Sequence, residues 1–231
     1  MTLLAIQLGD TFNYIVTLLP ALLEGAIVTV KVFVLTLLFA LPLGLPFALG
    51  SNCKIAPVRW LCSTYVWLFR GTPLMLQLFF FYYFMPLVTG TLFRLDRFET
   101  AVLTFSLNYA AYFAEIYRAG IESIDRGQNE AARSLGISKT RTMFGIILPQ
   151  AFKRVLPPVT NETITLIKDT ALIHVIGLTE LTRVAKNAAS RDVNPFSYAL
   201  AAVFYLFFTF FLTILSSRLE KRFSRHLVKG E

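Results

Sequence analysis

The feature that most constrains this chain is an alternation of long apolar stretches with short basic ones. Apolar runs extend over about Leu22 to Leu49, Trp60 to Val88 with an interruption at Arg70-Gly71-Thr72-Pro73, Thr100 to Tyr117, Pro157 to Leu178 and, after a mixed loop holding Arg183, Lys186, Arg191 and Asp192, Phe196 to Leu215. A helix rises about 1.5 Å per residue, so roughly 20 residues cross a hydrocarbon core about 30 Å thick. At that depth no water is available to the backbone, and a segment must close its hydrogen bonds internally. The alternation therefore predicts an all-α integral membrane protein with five transmembrane helices, folded as a single transmembrane domain over residues 1–231. Composition excludes an ordinary soluble domain: 55% of residues are hydrophobic and 16% charged, and mean hydropathy is +0.61.

Charge sets the expected orientation. One side of the membrane receives Lys54 and Arg59, then Arg118, Arg126, Arg133, Lys139, Arg141, Lys153 and Arg154, then Arg218, Lys221, Arg222, Arg225 and Lys229; the other receives Arg94, Arg97, Arg183, Lys186 and Arg191. Short loops rich in Lys and Arg stay in the cytoplasm, so the N-terminus is expected outside and the C-terminus inside. A net charge of +8 on a soluble chain would suggest nucleic acid. Here the cations flank apolar runs and face anionic membrane lipid, and nucleic acid is not an expected partner. Residues 1–20, without Lys or Arg, are expected to form a surface helix outside the membrane. Lacking the basic start of a cleavable signal, the first span should persist in the mature protein. Pro42 and Pro46 predict a bend in that span, and Pro157-Pro158 predict the first turn of the fourth. Cys53 and Cys62 show no ligand spacing and are expected as reduced packing residues.

The polar segment of about 125–150 separates the third and fourth spans. Asp125 can cap a short helix, with Gln128 reaching back to it as in a capping box and Glu130 near the positive end of the dipole. Ala131, Ala132 and Leu135 favour helix. Gly136 ends it, because glycine enters the left-handed conformation without a Cβ penalty, and Ser138 can cap the helix that follows, which runs to Pro149. A short, exposed, well-bounded helix between apolar spans invites a soluble partner.

Ionisable groups inside spans usually face a cavity or another helix. Arg70 lies eleven residues beyond Arg59, roughly 16 Å along a helix and near the centre of the membrane. Asp169, twelve residues past Pro157, and Asn108, ten before Arg118, reach similar depth. Glu115 is placed instead near the cytosolic end, paired with Arg118, as a gate residue or a plain surface ion pair. On the fourth span Asn161, Glu162, Thr165, Lys168 and Asp169 share one face. Ile164, Ile167, Ala171 and Val175 share another, which is expected to meet lipid. The polar face either lines a water-filled path or pairs with neighbouring helices.

Several of these words resemble a known family. Glu130-Ala131-Ala132, Gly136 and Ile147-Leu148-Pro149 resemble the EAA signature of permease subunits in ATP-binding-cassette importers. FRGTP around Arg70, AAYFAEIYRAGIESI at Ala110 to Ile124 and KDTAL around Asp169 resemble permeases for polar amino acids. One departure is the Lys-Asp pair, which in the family often reads Lys-Asn. The resemblance implies a type I importer fold in a bacterial cytoplasmic membrane. It also implies two permease subunits (a homodimer, or this chain with a paralogue), two cytoplasmic ATPase subunits and an extracytoplasmic amino-acid-binding protein. It makes Glu130, Ala131, Ala132 and Gly136 coupling residues toward the ATPase. Arg70, Thr72, Asn108, Thr165 and Asp169 become the candidate solute site, with Arg70 for an α-carboxylate and Asp169 for an ammonium or polar side chain. ATP and Mg2+ belong to the partner ATPase, since no phosphate-binding glycine loop is present here, and no cofactor is expected on this chain.

Other classes fare less well. An intramembrane hydrolase needs a nucleophile and a base, but the histidines are His174 and His226 alone, with no Gly-x-Ser-x-Gly elbow or His-Glu-x-x-His pair. A secondary transporter or channel for small polar solutes would account for the buried charges but would not need the polar segment at 125–150.

Overall fold

The computed structural model describes the backbone of residues 2–90 and 94–224, and side chains of 11–90 and 94–223. The expectations placed on Arg225, His226 and Lys229 lie outside the described residues. Every regular element among the described residues is helical. Helix α1, Thr2–Ser51, is one unbroken run: the expected surface helix and the first span are continuous, and Pro20, Pro42 and Pro46 do not interrupt the helix. A proline removes one hydrogen bond, but in apolar surroundings the remaining groups have no better partner than their own helix.

Helix α2, Ala56–Gly71, ends where Thr72 turns extended, with φ −118° and ψ 143°. That residue precedes Pro73, whose ring disfavours the helical region for its predecessor. The chain resumes as α3, Leu74–Phe79, a π-helical turn at Phe80–Phe84 and α4, Met85–Thr89, bent by 106° from α2. The expected interruption is therefore present, and Thr72-Pro73 makes it. Gly71 remains helical and faces open space.

Helix α5, Arg97–Glu122, opens with a reciprocal capping box: the Glu99 amide donates to Asp96 Oδ1 at 2.8 Å, and the Asp96 amide donates to Glu99 Oε2 at 3.1 Å. Two short helices follow, α6, Arg126–Ser134, and α7, Lys139–Thr142, with a π-helical turn at Met143–Ile147. Helix α8, Leu148–Asp169, continues directly from that turn. Pro157 and Pro158 thus lie inside α8 rather than at its start. The chain ends with a 3₁₀ stretch at Thr170–Ile176, then α9, Leu181–Asp192, and α10, Phe196–Ser224. The sequence reading left the α9 region as a mixed loop.

By length and apolarity α1 (Thr11–Ser51) and α10 (Phe196–Phe223) can cross a membrane, and the bent pair from Ala56 to Thr89 makes a third if it is one span. Helices α5 and α8, of 26 and 22 residues, are long enough but carry more charge.

The chain divides into two compact units interleaved in sequence. One comprises Met1–Leu35, Met75–Val102 and Leu166–Phe211. Its core places Leu18, Leu22 and Ala26 of α1 against Leu181, Val184, Ala185 and Ala188 of α9 and Ala201 of α10. The other comprises Thr36–Leu74, Leu103–Thr165 and Leu212–Glu231. There Gly44 of α1 packs so closely on α5 that a Cβ would stand 2.9 Å from Phe113 Cβ, the small-residue approach that membrane helices favour. A second cluster, Ile124, Ile147 and Ala151, joins the end of α5 to the start of α8.

Candidate functional site

Arg70 is the penultimate residue of α2, just before the α2–α3 break, and α5 supplies its surroundings. Its Nη1 stands 3.7 Å from Glu115 Oε2, and its guanidinium carbon lies 5.5 Å from the centroid of the Tyr112 ring. Asn108, also on α5 and buried, donates from Nδ2 to the carbonyl of Phe69 at 3.0 Å. Tyr65 donates to the Leu107 carbonyl at 2.6 Å. Both bonds tie the polar end of α2 to the same stretch of α5. Thr72 Oγ1 donates to the Leu68 carbonyl at 2.8 Å, satisfying one of the carbonyls that the end of the helix leaves over.

Arg70 and Glu115 thus meet, an approach not expected from the sequence, and Asn108 lies seven residues before Glu115 on the same helix. The expected Glu115–Arg118 pair is present, and Arg118 is held between two carboxylates of its own helix. Its Nε and Nη2 donate to Glu115 at 3.0 and 2.6 Å, and its Nη1 donates to Glu122 at 2.6 Å. The result is an alternating ladder, Arg70, Glu115, Arg118, Glu122. Charges spaced three and four apart share one helix face.

On α8 one residue departs from expectation. Ile167, assigned to lipid, is buried at 2% exposure, and Leu166 beside it is fully buried. Asn161 and Lys168 are exposed, while Glu162, Thr165 and Asp169 are half-buried. Asp169 is the last residue of α8, where the helix tightens into its 3₁₀ stretch.

The sequence reading missed Glu180. This carboxylate is fully buried and caps α9, accepting the amides of Thr182 and Arg183 at 2.7 Å each and the Tyr205 hydroxyl at 3.2 Å. Burial pushes its carboxyl up to about 7, opposed by those hydrogen bonds. Glutamate is not among the favoured cap residues. The one available signal was an acid immediately before the amphipathic spacing of Leu181, Val184, Ala185 and Ala188.

The polar segment is built largely by the local rules read from it. Asp125 Oδ1 accepts the Gly127 amide at 2.7 Å. Gln128 does not complete a capping box; its Oε1 accepts instead from Gln150 Nε2 at 3.4 Å. At the other end Gly136 has φ +72°. Its amide donates to the Arg133 carbonyl at 3.0 Å, and the Ile137 amide donates to Ala132 at 2.9 Å. This is the two-bond glycine C-cap. Ser138 then caps α7, accepting from the Arg141 amide at 3.4 Å. Glu130 and Ala131 are exposed and Ala132 is buried. Leu135 and Phe144 are exposed at 77% and 68%, so large apolar side chains lie open in this segment. Arg154 donates to the Ser123 carbonyl, which with the Ile124 cluster gives the segment a fixed base.

A cavity of about 570 Å³ lies among Leu41, Leu45, Tyr117, Ile121, Phe152 and Val155. Its walls are apolar, and the Tyr117 hydroxyl is committed to the Leu41 carbonyl at 3.2 Å. It offers a polar solute no hydrogen bonds.

Residues 40–225 match the family described as the binding-protein-dependent transport system inner membrane component. This chain belongs to that family. It is 40% identical to the L-cystine transport system permease protein TcyB of Bacillus subtilis, over 91% of this chain and 89% of that one. It is 39% identical to the arginine transport system permease protein ArtQ of the same organism, over 91% and 96%. With the glutamine transport system permease protein GlnP of Escherichia coli it shares 37%, over 88% and 93%. Among solved structures, an amino acid ABC transporter crystallised with histidines superposes with a TM-score of 0.85 at 37% identity, covering 91% of this chain and 98% of that one. The MetNI methionine ABC transporter, 18% identical with a TM-score of 0.71 over 88% and 96%, shares the fold. The chain is thus a multi-pass permease subunit of an ABC importer in the inner membrane. It works with a separate ATPase and a substrate-binding protein and is not itself an enzyme.

Proposed function

We propose that this permease moves polar amino acids inward, as a single five-span domain with its N-terminus outside and its C-terminus in the cytoplasm. It pairs with a second permease subunit, another copy or a paralogue. Two cytoplasmic ATPase subunits, which hold ATP and Mg2+, drive it, and an extracytoplasmic amino-acid-binding protein feeds it. The observation that carries this reading is the likeness, over nearly the whole of both chains, to an amino acid ABC transporter. Relatives named for cystine, arginine and glutamine carry solutes that share an α-carboxylate and an α-ammonium and differ in side chain. A site common to them must recognise those two groups.

Arg70 binds the carboxylate: a guanidinium stays charged and offers two parallel donors that lysine cannot match. Thr72 and Asn108 order the backbone beside it. Thr165 and Asp169, four residues apart on one face of α8, are the candidates for contact with the solute's ammonium. Half-burial of Glu162, Thr165 and Asp169 on α8 supports a role toward solute or a second subunit rather than lipid. Glu115 belongs to the gate. Glu130, Ala131, Ala132 and Gly136, within the coupling segment of about 125–150, present α6 to the ATPase, and the open side chains of Leu135 and Phe144 suit such docking.

The test is uptake and solute-stimulated ATP hydrolysis by the complete transporter in proteoliposomes. Arg70→Lys keeps charge and loses the fork; Asp169→Asn keeps shape and loses charge. Each is expected to raise the apparent half-saturation for amino acid about tenfold or more, and inactivating the ATPase is expected to abolish uptake. Unchanged affinity and selectivity in both variants would place the site elsewhere.

A further inference from the structure

We propose that Glu115 is an internal stand-in for the solute's carboxylate. It neutralises Arg70 loosely before solute arrives and yields that guanidinium to it, while Arg118 keeps Glu115 paired throughout. This rests on the reading of Arg70 as the carboxylate-binding residue and goes beyond it by naming what the solute must displace.

The geometry of the ladder carries the argument. Two arginines converge on one carboxylate, and they hold it unequally. Arg118 grips both oxygens of Glu115 at 3.0 and 2.6 Å. Arg70 stands 3.7 Å away, close enough for attraction and too far for a hydrogen bond. Its side chain is 40% exposed and faces the edge of a helix break. The Tyr112 ring at 5.5 Å adds a weak attraction that does not compete for the donors. An arriving carboxylate can therefore take two parallel hydrogen bonds from Arg70 without leaving any charge unpaired. Glu115 remains on Arg118, and Arg118 remains on Glu122 at 2.6 Å. Arg118 sets the strength of the competition, because the more tightly it draws Glu115, the less Glu115 opposes the solute.

This arrangement predicts effects of opposite sign from two neighbouring substitutions. Glu115→Gln removes the competing charge and is expected to tighten binding of the amino acid. Arg118→Gln frees Glu115 to close on Arg70 and is expected to weaken it. A merely structural ladder would lose function in both. Glu115→Asp, whose shorter stem withdraws the carboxylate from Arg70, is expected to tighten binding more modestly and serves if the glutamine variant does not fold.

The experiment is equilibrium binding to the assembled transporter in lipid nanodiscs. An L-amino acid found to bind from a panel of the standard set is compared with its α-carboxamide, which lacks the negative charge. The expected result is about tenfold tighter binding of the acid by Glu115→Gln and about tenfold weaker binding by Arg118→Gln, with binding of the amide unchanged in both. Wild-type or weaker affinity for the acid in Glu115→Gln overturns the proposal. Arg70→Lys separates the two levels. If it leaves the preference for acid over amide intact, or if no amino acid binds, the carboxylate reading itself fails. If it abolishes that preference while Glu115→Gln changes nothing, only the stand-in role fails.

Discussion

Two short helices, α6 and α9, are built by the same local means and put to opposite uses. Each starts on an acidic cap, Asp125 or Glu180, and each exits through a left-handed residue, Gly136 at φ +72° or Val193 at φ 50°. In α6 Ala132 is the buried residue. In α9 Leu181, Val184, Ala185 and Ala188 are buried, at the spacing of one apolar stripe, and they seal the helix onto α1 and α10. Capping decides that a helix forms, and the stripe decides whether the chain keeps that helix for itself. Helix α6, without a stripe, is left for something outside the chain.

The sharpest way to break this comparison is to remove the two caps. Glu180→Ala strips a buried site of the acceptor for two amides and a hydroxyl, with an expected loss on the order of 2–4 kcal/mol, read as a large fall in Tm of the purified permease. If Asp125→Ala costs as much, the contrast between a sealed and an open helix fails. The Glu180 carboxyl also predicts a pH dependence. Its ordinary value is 4.5 and burial raises it to about 7, so the folded state holds the proton more tightly than the unfolded state. The resulting stabilisation is fully present below about pH 4.5, declines as pH rises through about 7, and is gone above it, amounting to on the order of 3 kcal/mol. Melting curves at pH 5 and pH 8 are expected to converge in Glu180→Gln.

Smaller effects sharpen the comparison from the other side. Gly136→Val forces a β-branched residue to positive φ at a local cost of about 1–3 kcal/mol. A Cβ there would meet nothing within 4 Å, so the strain reshapes the turn rather than the core. Solute-stimulated ATP hydrolysis is expected to fall about tenfold or more, with a smaller change in Tm than Glu180→Ala gives. Asp125→Ala, at an exposed cap, is expected to cost about 1 kcal/mol and to weaken coupling without impairing membrane insertion. Val193→Asn replaces a β-branched residue with one that tolerates the left-handed region, and is expected to raise stability by a few tenths of a kcal/mol to about 1.

How legible a feature was in the sequence followed how far apart its partners lie. The α2–α3 break, the α6 start at Asp125, the turn at Gly136 and the Ser138 cap were all readable, because each depends on residues within a few positions. Gln128 was misread for the opposite reason: its partner, Gln150, lies twenty-two residues away. The Glu115–Arg118 pair was readable, since the two stand three residues apart, whereas the approach of Arg70 was not, because it comes from another helix. On α8 the burial of Ile167 was not legible, because it depends on which distant helix packs there.

By itself the sequence determined that this chain is helical, that it is broken within Arg70-Gly71-Thr72-Pro73 and at Gly136, and that charged residues lie within or beside the apolar runs. Those facts follow from backbone sterics and the lack of water in the membrane, which act at short range. Only the tertiary structure decided that Arg70 meets Glu115, that Ile167 is buried while Lys168 is exposed, and that Glu180 serves as a buried cap against Tyr205. Those outcomes depend on which distant helix supplies the opposing side chain, and packing selects it.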